Sequence, residues 1–208
     1  MNAIDLKQRV AVITGGAQGI GYATAQRLLR SGASLIIWDI DKAKLDEAVA
    51  SLSALGACRG VVVELTDDAA VARATADAGR IDILINNAGI TGGNATTWQL
   101  DPAVWRRVIE VNLIAPYLTC RHVVQTMLAQ RYGRIVNIAS VAGKEGNPNA
   151  SHYSASKAGL IHLTRRMATK LVKDHVNVTA IAPGAFKSDV NSAARDHSDE
   201  VAKRIPEQ

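Results

Sequence analysis

Short apolar runs alternate with longer amphipathic segments along the chain. The runs are continuous and rich in β-branched residues, a pattern that predicts strands covered on both faces rather than strands with one face in water. We predict six such strands, at residues 10–14, 34–39, 60–64, 81–86, 134–139 and 176–182.

The amphipathic segments between the runs predict helices, at residues 19–30, 42–55, 67–78, from 101 onwards and at 151–174. Asp101 and Pro102 suit the N-cap and the first turn of the long fourth helix. Strands that alternate with helices form βαβ units, so the pattern predicts an α/β fold with a doubly wound parallel sheet between two helical layers. Because no linker or repeat interrupts the pattern, we expect one domain over residues 1–208.

Composition narrows the classes of function. The 208 residues are 48% hydrophobic and 21% charged, with a formal charge of +5 and no long run of like charges. This argues against a nucleic-acid partner. The sequence has neither a bilayer-length apolar run nor a signal-peptide core, so we expect a cytoplasmic protein without a membrane partner. The two cysteines and five histidines lack metal-ligand spacing, so we predict no metal site.

Residues 14–21 read TGGAQGIG, between the first predicted strand and the first helix. Glycines allow a tight turn and the close approach of a pyrophosphate, and the helix that follows directs free N–H groups and its positive dipole end at it. A purely structural turn is the alternative. The strand–turn–helix context favours a dinucleotide site.

Asp39 ends the second predicted strand, where an acid can accept hydrogen bonds from the adenosine ribose hydroxyls. Its charge would repel a 2′-phosphate, and the glycine turn contains no Arg or Lys to offset that repulsion. The sequence therefore favours NAD over NADP. Two alternatives stay open: Asp39 is the N-cap of the next helix, or Lys42 softens the discrimination.

Tyr153 and Lys157 are four residues apart on a predicted helix and so share one face. Tyrosine is a poor base at neutral pH, because its unperturbed pKa is about 10. A nearby ammonium group and an oxidised nicotinamide both favour tyrosinate and lower that pKa, which would make Tyr153 a general acid and base. The alternative is a pair of surface residues without chemistry.

These features occur in one order with NNAG at 86–89, Asn112 within EVN, Ser140 after a strand, and Pro183-Gly184. Together they resemble the short-chain dehydrogenase/reductase family over nearly the whole chain. The nearest likeness is to 3-oxoacyl-[acyl carrier protein] reductases and related secondary-alcohol dehydrogenases. The resemblance implies a Rossmann-type three-layer αβα fold. It also implies an enzyme that transfers a hydride between NAD(H) and a small secondary alcohol or ketone.

The resemblance also assigns roles to residues. It implies a catalytic set in which Tyr153 is the acid and base, Lys157 assists it and holds the nicotinamide ribose, Ser140 orients the substrate carbonyl, and Asn112 holds a water that links Lys157 to solvent. For the cofactor it implies contacts at the glycine turn from Gly15, Gln18, Gly19, Ile20 and Gly21. On the adenosine side it implies contacts from Asn86, Ala88 and Gly89, and on the nicotinamide side from Pro183, Gly184, Phe186 and Ser188. Asn86, Ala88 and Gly89 would also steady the sheet. At the end of the third strand, near the adenine, the family usually has Asp, whereas this chain has Glu64 followed by Leu65.

The family pattern continues with a further helix and a seventh strand. The C-terminal part of this chain is shorter than that pattern. The sixth strand would then be an edge with apolar side chains on both faces, a surface that invites a partner strand. We consider three explanations: a fragment, a natural short variant covered by a partner subunit, or a protein that binds a dinucleotide with little or no catalysis. The last is the alternative function.

The resemblance also implies a homodimer or homotetramer that assembles through the helices near 101–130 and 151–174. The small residues Ala155, Ala158 and Gly159 would allow close approach there. His152, beside Tyr153, is expected on a solvated loop end or in contact with substrate. Trp98 and Trp105 are expected either in the core or in the pocket wall.

Overall fold

The computed structural model describes residues 4–184. They contain a six-stranded parallel sheet with the strand order β3-β2-β1-β4-β5-β6. The strands are β1 (Val10–Thr14), β2 (Ser34–Asp39), β3 (Cys58–Val62), β4 (Ile83–Asn86), β5 (Gly133–Ile138) and β6 (Val176–Ile181). The order reverses direction between β1 and β4, as in a doubly wound sheet.

Seven α-helices accompany the strands within residues 4–184. They are α1 (Gly19–Arg30), α2 (Lys42–Leu52), α3 (Asp68–Ala78), α4 (Pro102–Ile109), α5 (Ala115–Ala129), α6 (Ala142–Glu145) and α7 (Ser151–Leu171). Short 3-10 turns at Ser53–Leu55 and Val172–Asp174 extend α2 and α7. Over the same residues, no helix is both long enough and apolar enough to cross a bilayer.

Alternate residues of each central strand pack into cores on opposite faces of the sheet. On β1, Val12 joins a cluster with residues of α3, α5 and the end of α7. Its neighbours Ala11 and Ile13 join a second cluster with residues of α1 and α2. Both faces are therefore covered by helices, which confirms the predicted three-layer αβα architecture with a parallel sheet.

The prediction that every strand is covered on both faces is wrong for the two edge strands. In β6, Val176 and Val178 are buried, whereas Asn177 and Thr179 are exposed. The strand therefore has one buried face and one largely polar face, not two apolar faces. Arg59 and Gly60 of β3 are exposed as well. An edge strand has a single hydrogen-bonded neighbour, and helices cover its outer side chains less completely.

The third strand begins two residues earlier than predicted, because Cys58 pairs with Leu35 of β2. The strand therefore ends before Val63 and Glu64, and these two residues follow the carboxyl end of β3 instead of lying within it. The fourth strand begins at Ile83 rather than at residue 81. Both shifts are set by pairing with a neighbouring strand, which is a tertiary contact.

The predicted long helix after Asp101 is present over residues 102–129, but one turn in its middle is π-helical instead of α-helical. Asp101 caps α4 by accepting a hydrogen bond from the N–H of Ala103, and Pro102 occupies the first turn, as predicted. Between α4 and α5 the chain forms a π-helical turn, Glu110–Ile114. Such wide turns are rare and often lie at functional sites. This one contains Asn112, a predicted catalytic residue.

A buried carboxylate connects the amino-terminal ends of two strands, β1 and β4. Asp82 is fully buried, and its carboxylate accepts hydrogen bonds from Arg9, Arg80 and the N–H of Val10 at 2.9 to 3.0 Å. Burial acts to raise the pKa of Asp82, but the hydrogen bonds and charge of the two arginines outweigh burial and lower it. The group supports the sheet at the edge opposite the predicted site.

We expect Asp82→Asn to lower the free energy of unfolding at pH 7 by about 2 kcal/mol, because charge-assisted hydrogen bonds are lost. The folded-state pKa is below the unfolded value, so the stabilisation is present above pH ~4 and disappears as the pH falls below it. Urea unfolding of parent and variant at several pH values measures this difference. A difference that stayed constant down to pH ~3 would contradict a role for the ionised carboxylate.

Candidate active site

A cavity of ≈ 510 Å³ opens beside the carboxyl ends of the strands, where the strand order reverses between β1 and β4. Ligands of open α/β sheets bind at such a reversal. One end of the cavity lies after β2 and β3, where it is lined by Asp39 and Glu64. The other end lies after β5 and beside the start of α7, where it is lined by Ser140 and Tyr153.

The turn between β1 and α1 forms the middle of the cavity wall. Gly15 has φ +62°, and a Cβ at this position would lie 2.8 Å from the Cα of Ala88. Gly19 has φ +56° and borders open space. A Cβ on Gly21 would lie 2.3 Å from the carbonyl oxygen of Gly15. Gly15 and Gly19 line the cavity, whereas Gly21 lies behind the lining and lets α1 pack tightly against the turn.

Asp39 connects the end of β2 to the same turn. Its carboxylate accepts hydrogen bonds from the N–H of Ala17 at 3.3 Å and of Asp41 at 3.2 Å. The N-cap of α2 is Asp41, which accepts from the N–H of Lys44, so the helix-cap alternative for Asp39 is wrong. Lys42 forms an exposed ion pair with Asp46 instead of facing Asp39.

Glu64 lies at the same end of the cavity as Asp39. Its carboxylate accepts from the N–H and hydroxyl of Thr66 and lies 3.6 Å from the guanidinium of Arg107. Burial acts to raise the Glu64 pKa, but the Thr66 hydrogen bonds and the Arg107 charge together lower it. Leu65, Thr66 and Arg107 also line the cavity.

Asn86 ends β4 and Asn87 follows it, and only Asn87 reaches the cavity. Asn86 is buried and steadies the sheet as predicted, because its Nδ2 donates to Asn137 and its Oδ1 accepts from Thr119. It does not line the cavity. Asn87 does, and its Nδ2 donates to the carbonyl of Gly15 at 2.8 Å. The NNAG motif contains both asparagines, but the motif by itself does not indicate which of them faces the ligand.

The first turns of α7 bring Tyr153 and Lys157 together in the cavity wall. The Nζ of Lys157 lies 5.7 Å from the centre of the Tyr153 ring and donates to the carbonyl of Ile138 at 2.8 Å. Lys157 is only 4% exposed, which leaves its other two N–H groups to the cavity or to water held there. Ser140 lies close enough to hydrogen-bond Tyr153.

Burial shifts the pKa values of Tyr153 and Lys157 in opposite directions. Burial raises the Tyr153 pKa, and the hydrogen bond with Ser140 offsets this only in part. Burial lowers the Lys157 pKa to about 8. The lowering of the Tyr153 pKa that is expected from the ammonium and an oxidised nicotinamide together stays a prediction. Desolvation favours the neutral form of both groups, so Tyr153 carries its proton at neutral pH.

Asn112 is wholly buried in the π turn and bonds to protein groups. Its Oδ1 accepts from the N–H of Ile90, and its Nδ2 donates to the carbonyl of Ile90 and to Ser156. A Cβ on Gly89 would lie 3.1 Å from Oδ1 of Asn112 and 3.4 Å from Nζ of Lys157. The π turn thus fixes the segment after β4 beside Lys157. A water on Asn112 stays a prediction.

The comparisons with known proteins agree with this geometry. The profile of the family described as short chain dehydrogenase matches residues 9–199. A 2-dehydro-3-deoxy-L-rhamnonate dehydrogenase (NAD(+)) from Sphingomonas sp. is 40% identical over 95% of this chain and 80% of its own length. The chain belongs to the short-chain dehydrogenase family. It is therefore an oxidoreductase of the dehydrogenase/reductase type, as the motif order implied.

Other relatives of this short-chain dehydrogenase extend the likeness to reductases. A 3-oxoacyl-[acyl-carrier-protein] reductase from Thermotoga maritima is 38% identical over 97% of this chain and 84% of its own length. A crystal structure of a 3-oxoacyl-[acyl-carrier protein] reductase with bound NAD from Brucella melitensis superposes with a TM-score of 0.85 and 35% identity. That superposition covers 92% of this chain and 76% of the other.

Most of the predicted site residues of this dehydrogenase meet in the one cavity. Its lining includes Gly15, Gln18, Gly19, Ile20, Asp39, Glu64, Leu65, Ala88, Gly89, Ser140, Tyr153, Lys157, Pro183 and Gly184. Three predicted residues lie behind that lining: Gly21, Asn86 and Asn112. Phe186 and Ser188 lie outside the described residues. Over residues 4–184, no group of three or more His, Cys, Asp or Glu could hold a metal.

Several residues that line the cavity were not predicted from the sequence. They include Ile40, Thr66, Asn87, Ile90, Thr91, Asn94 and Arg107. Most lie on loops, where no periodic pattern indicates which side chain faces a ligand. For the loop after β4, the NNAG motif indicates that the segment lies near the cofactor, but it does not indicate which side chains of the loop face the cavity.

His152 is buried, not solvated as expected. It is 0% exposed and lies 6.3 Å from the Trp105 ring, centroid to centroid. Both of its ring nitrogens lack a hydrogen-bond partner within the described residues. Trp98 is 84% exposed, and neither it nor Trp105 lines the cavity, so both expectations for Trp98 are wrong.

His152 packs against the loop after β4 at Gly92. Gly92 has φ +76°, and a Cβ there would lie 2.7 Å from Nε2 of His152 and 2.5 Å from Cγ2 of Val108. The next residue, Gly93, has φ +79° and open space around it. The two glycines share a left-handed backbone, and only the first is sterically enclosed.

This difference yields a matched test with Gly92→Ala and Gly93→Ala. Both variants lose about 1 kcal/mol to the left-handed backbone. Gly92→Ala also loses about 1–3 kcal/mol to the enforced contact with His152 and Val108. Urea unfolding measures both losses. Equal losses in the two variants would show that His152 does not restrict this loop.

Proposed function

We propose that the protein is an NAD-dependent oxidoreductase for a small secondary alcohol or ketone, with Tyr153 as general acid and base. The observation that carries the proposal is the arrangement of one cavity: a carboxylate, Asp39, at one end, and the Ser140, Tyr153 and Lys157 side chains at the other. A dinucleotide is long enough to occupy both ends of such a cavity. The glycine turn lies between them, where a pyrophosphate would bind.

The residues fit the two halves of a nicotinamide dinucleotide. Asp39 would accept from the adenosine ribose hydroxyls. The two N–H groups of Lys157 that do not bond to Ile138 would donate to the other ribose. When bound, the cofactor would supply or accept the hydride. The relatives whose names include NAD support the same class of cofactor.

The proton would pass through Tyr153. For reduction, its neutral phenol, favoured by burial, donates a proton to the forming alkoxide, and Ser140 hydrogen-bonds the same oxygen. For oxidation, the phenolate must form. The Lys157 ammonium beside the ring then stabilises the negative charge.

We expect Tyr153→Phe to lower kcat by at least about 100-fold, because general acid–base catalysis contributes about that factor. The matched control is Tyr22→Phe, whose hydroxyl bonds only to the exposed Ser51. Turnover of a panel of secondary alcohols and ketones is followed by nicotinamide absorbance. NADH affinity is measured by fluorescence and should stay within a few fold of the parent.

Two outcomes would contradict the proposal in different ways. If Tyr153→Phe turned over as fast as the parent, Tyr153 would not be the acid and base. If the parent bound NADH but turned over no member of the panel, the protein would be a dinucleotide-binding protein with little or no catalysis, the alternative function.

Cofactor choice has a separate test. We expect the parent to bind NADH more tightly than NADPH, and Asp39→Ala to weaken NADH binding by about 10-fold while narrowing the gap, because a charged hydrogen bond is lost. Asp46→Ala, which removes an exposed acid that pairs with Lys42 on α2, is the charge-matched control. Calorimetric titration gives both affinities. Tighter binding of NADPH by the parent would overturn the NAD assignment.

Assembly and location extend the same proposal. We propose one domain over residues 1–208, working in the cytoplasm as a homodimer or homotetramer through the helices near 101–130 and 151–174. Ala155 is exposed and available for close approach. Gly159 is not, because a Cβ there would lie 2.9 Å from Leu113 of the same chain.

A further inference from the structure

The wall of the cavity beside Tyr153 is built from two loops. The loop after β4 contributes Thr91 and Asn94, and the loop before α7 contributes Asn147. The loops are joined by a backbone hydrogen bond from the N–H of Ala95 to the carbonyl of Asn149, at 2.9 Å. They therefore form one continuous surface at the catalytic end of the cavity.

The loop after β4 is held in place at a residue between the two that face the cavity. Gly92 packs against His152, the residue that directly precedes Tyr153 on α7. Asn112 bonds both backbone groups of Ile90, just before Thr91. The wall is thus fixed with respect to Tyr153 before a ligand arrives. Such preorganised groups lose little conformational entropy when they bind one.

The polar groups on this wall have unused hydrogen-bonding capacity. Within residues 4–184, the side chains of Thr91 and Asn94 have no hydrogen-bond partner, and Asn147 uses only its Oδ1, which accepts from the N–H of Asn149. Two amides and a hydroxyl therefore offer donors and acceptors to a ligand. Small apolar side chains, Val141, Ala142 and Ala150, complete this end of the cavity.

Charge is concentrated elsewhere in the described lining. Both lining carboxylates, Asp39 and Glu64, belong to the opposite end, and Arg107 faces Glu64. Lys157 is the one charged group beside Tyr153 in the described lining, and it donates to Ile138. Neutral amides and hydroxyls match neutral hydroxyl groups, which both donate and accept.

We propose that the substrate is a small polyhydroxylated chain with hydroxyl groups on the carbons that flank the reacting carbon. Asn94, Asn147 and Thr91 bind these flanking hydroxyls, while Tyr153 and Ser140 contact the reacting oxygen. This inference rests on the proposed function. Thr91 is half-buried and Asn94 and Asn147 are exposed, so each hydroxyl group that an analogue lacks removes one hydrogen bond to this wall and weakens binding.

The first experiment compares alcohols with the same carbon number. Xylitol, ribitol and D-arabinitol are tested against pentan-2-ol and pentan-3-ol with NAD, together with D-gluconate as a hydroxylated acid. We expect kcat/KM for the best hydroxylated compound to exceed that of either pentanol by about 100-fold or more. A preference for gluconate over the neutral polyols also supports hydroxyl recognition.

The second experiment assigns the recognition to residues. We expect Asn94→Ala, Asn147→Ala and Thr91→Val each to raise KM for the preferred hydroxylated substrate by about 5–10-fold, the loss of one hydrogen bond. The KM for a pentanol should stay unchanged, because it has no flanking hydroxyl to lose. Asn177→Ala, an exposed asparagine of β6 outside the cavity, is the matched control. Unchanged unfolding midpoints verify that the variants fold.

The outcomes separate this inference from the proposed function. Turnover of pentanols that depends on Tyr153 and equals or exceeds that of the polyols would overturn the substrate class and leave the oxidoreductase proposal standing. A preference for polyols that survives all three substitutions would overturn the residue assignment. Absence of turnover with every alcohol and acid would count against both proposals.

Discussion

The glycine turn after β1 lies so close to the segment after β4 and to the start of α1 that neither Gly15 nor Gly21 has room for a side chain. A Cβ on Gly15 would lie 2.8 Å from the Cα of Ala88, and a Cβ on Gly21 would lie 2.3 Å from the carbonyl oxygen of Gly15. Asn87 completes the contact by donating to that same carbonyl. Because the strand order reverses between β1 and β4, this contact sets the width of the cleft from which the cavity extends to both sides.

A chain of buried polar contacts leads from this centre to the end of the cavity that Tyr153 lines. Asn112 bonds the backbone of Ile90 and Ser156, and Lys157 bonds the carbonyl that ends β5. The π turn is what places Asn112 between the loop after β4 and α7. Burial of the lysine lowers its pKa and burial of the tyrosine raises the pKa of that residue, so the enclosed site itself sets their protonation.

Much of the fold could be predicted because its signals are local. The bounds of β1, α1 and β2 agree with the apolar runs, and Asp101 caps its helix as its position predicts. The start of β3 depended on pairing with Leu35, and no local signal contains that information. The π-helical turn at Glu110–Ile114 was likewise not predicted, since the apolar pattern predicts a helix without distinguishing an α-helical turn from a π-helical one.

The sequence by itself determined the chemistry of the site: the glycine turn, the acid at the end of β2 and the Tyr153–Lys157 spacing are short-range patterns with fixed physical consequences. Only the tertiary structure decided which side chains face the cavity. Asn87 rather than Asn86 reaches it, and Gly21 packs behind it. His152 is buried against Gly92, although its neighbour Tyr153 lines the cavity. Adjacent residues differ in this way because orientation and burial depend on segments that are distant in the sequence.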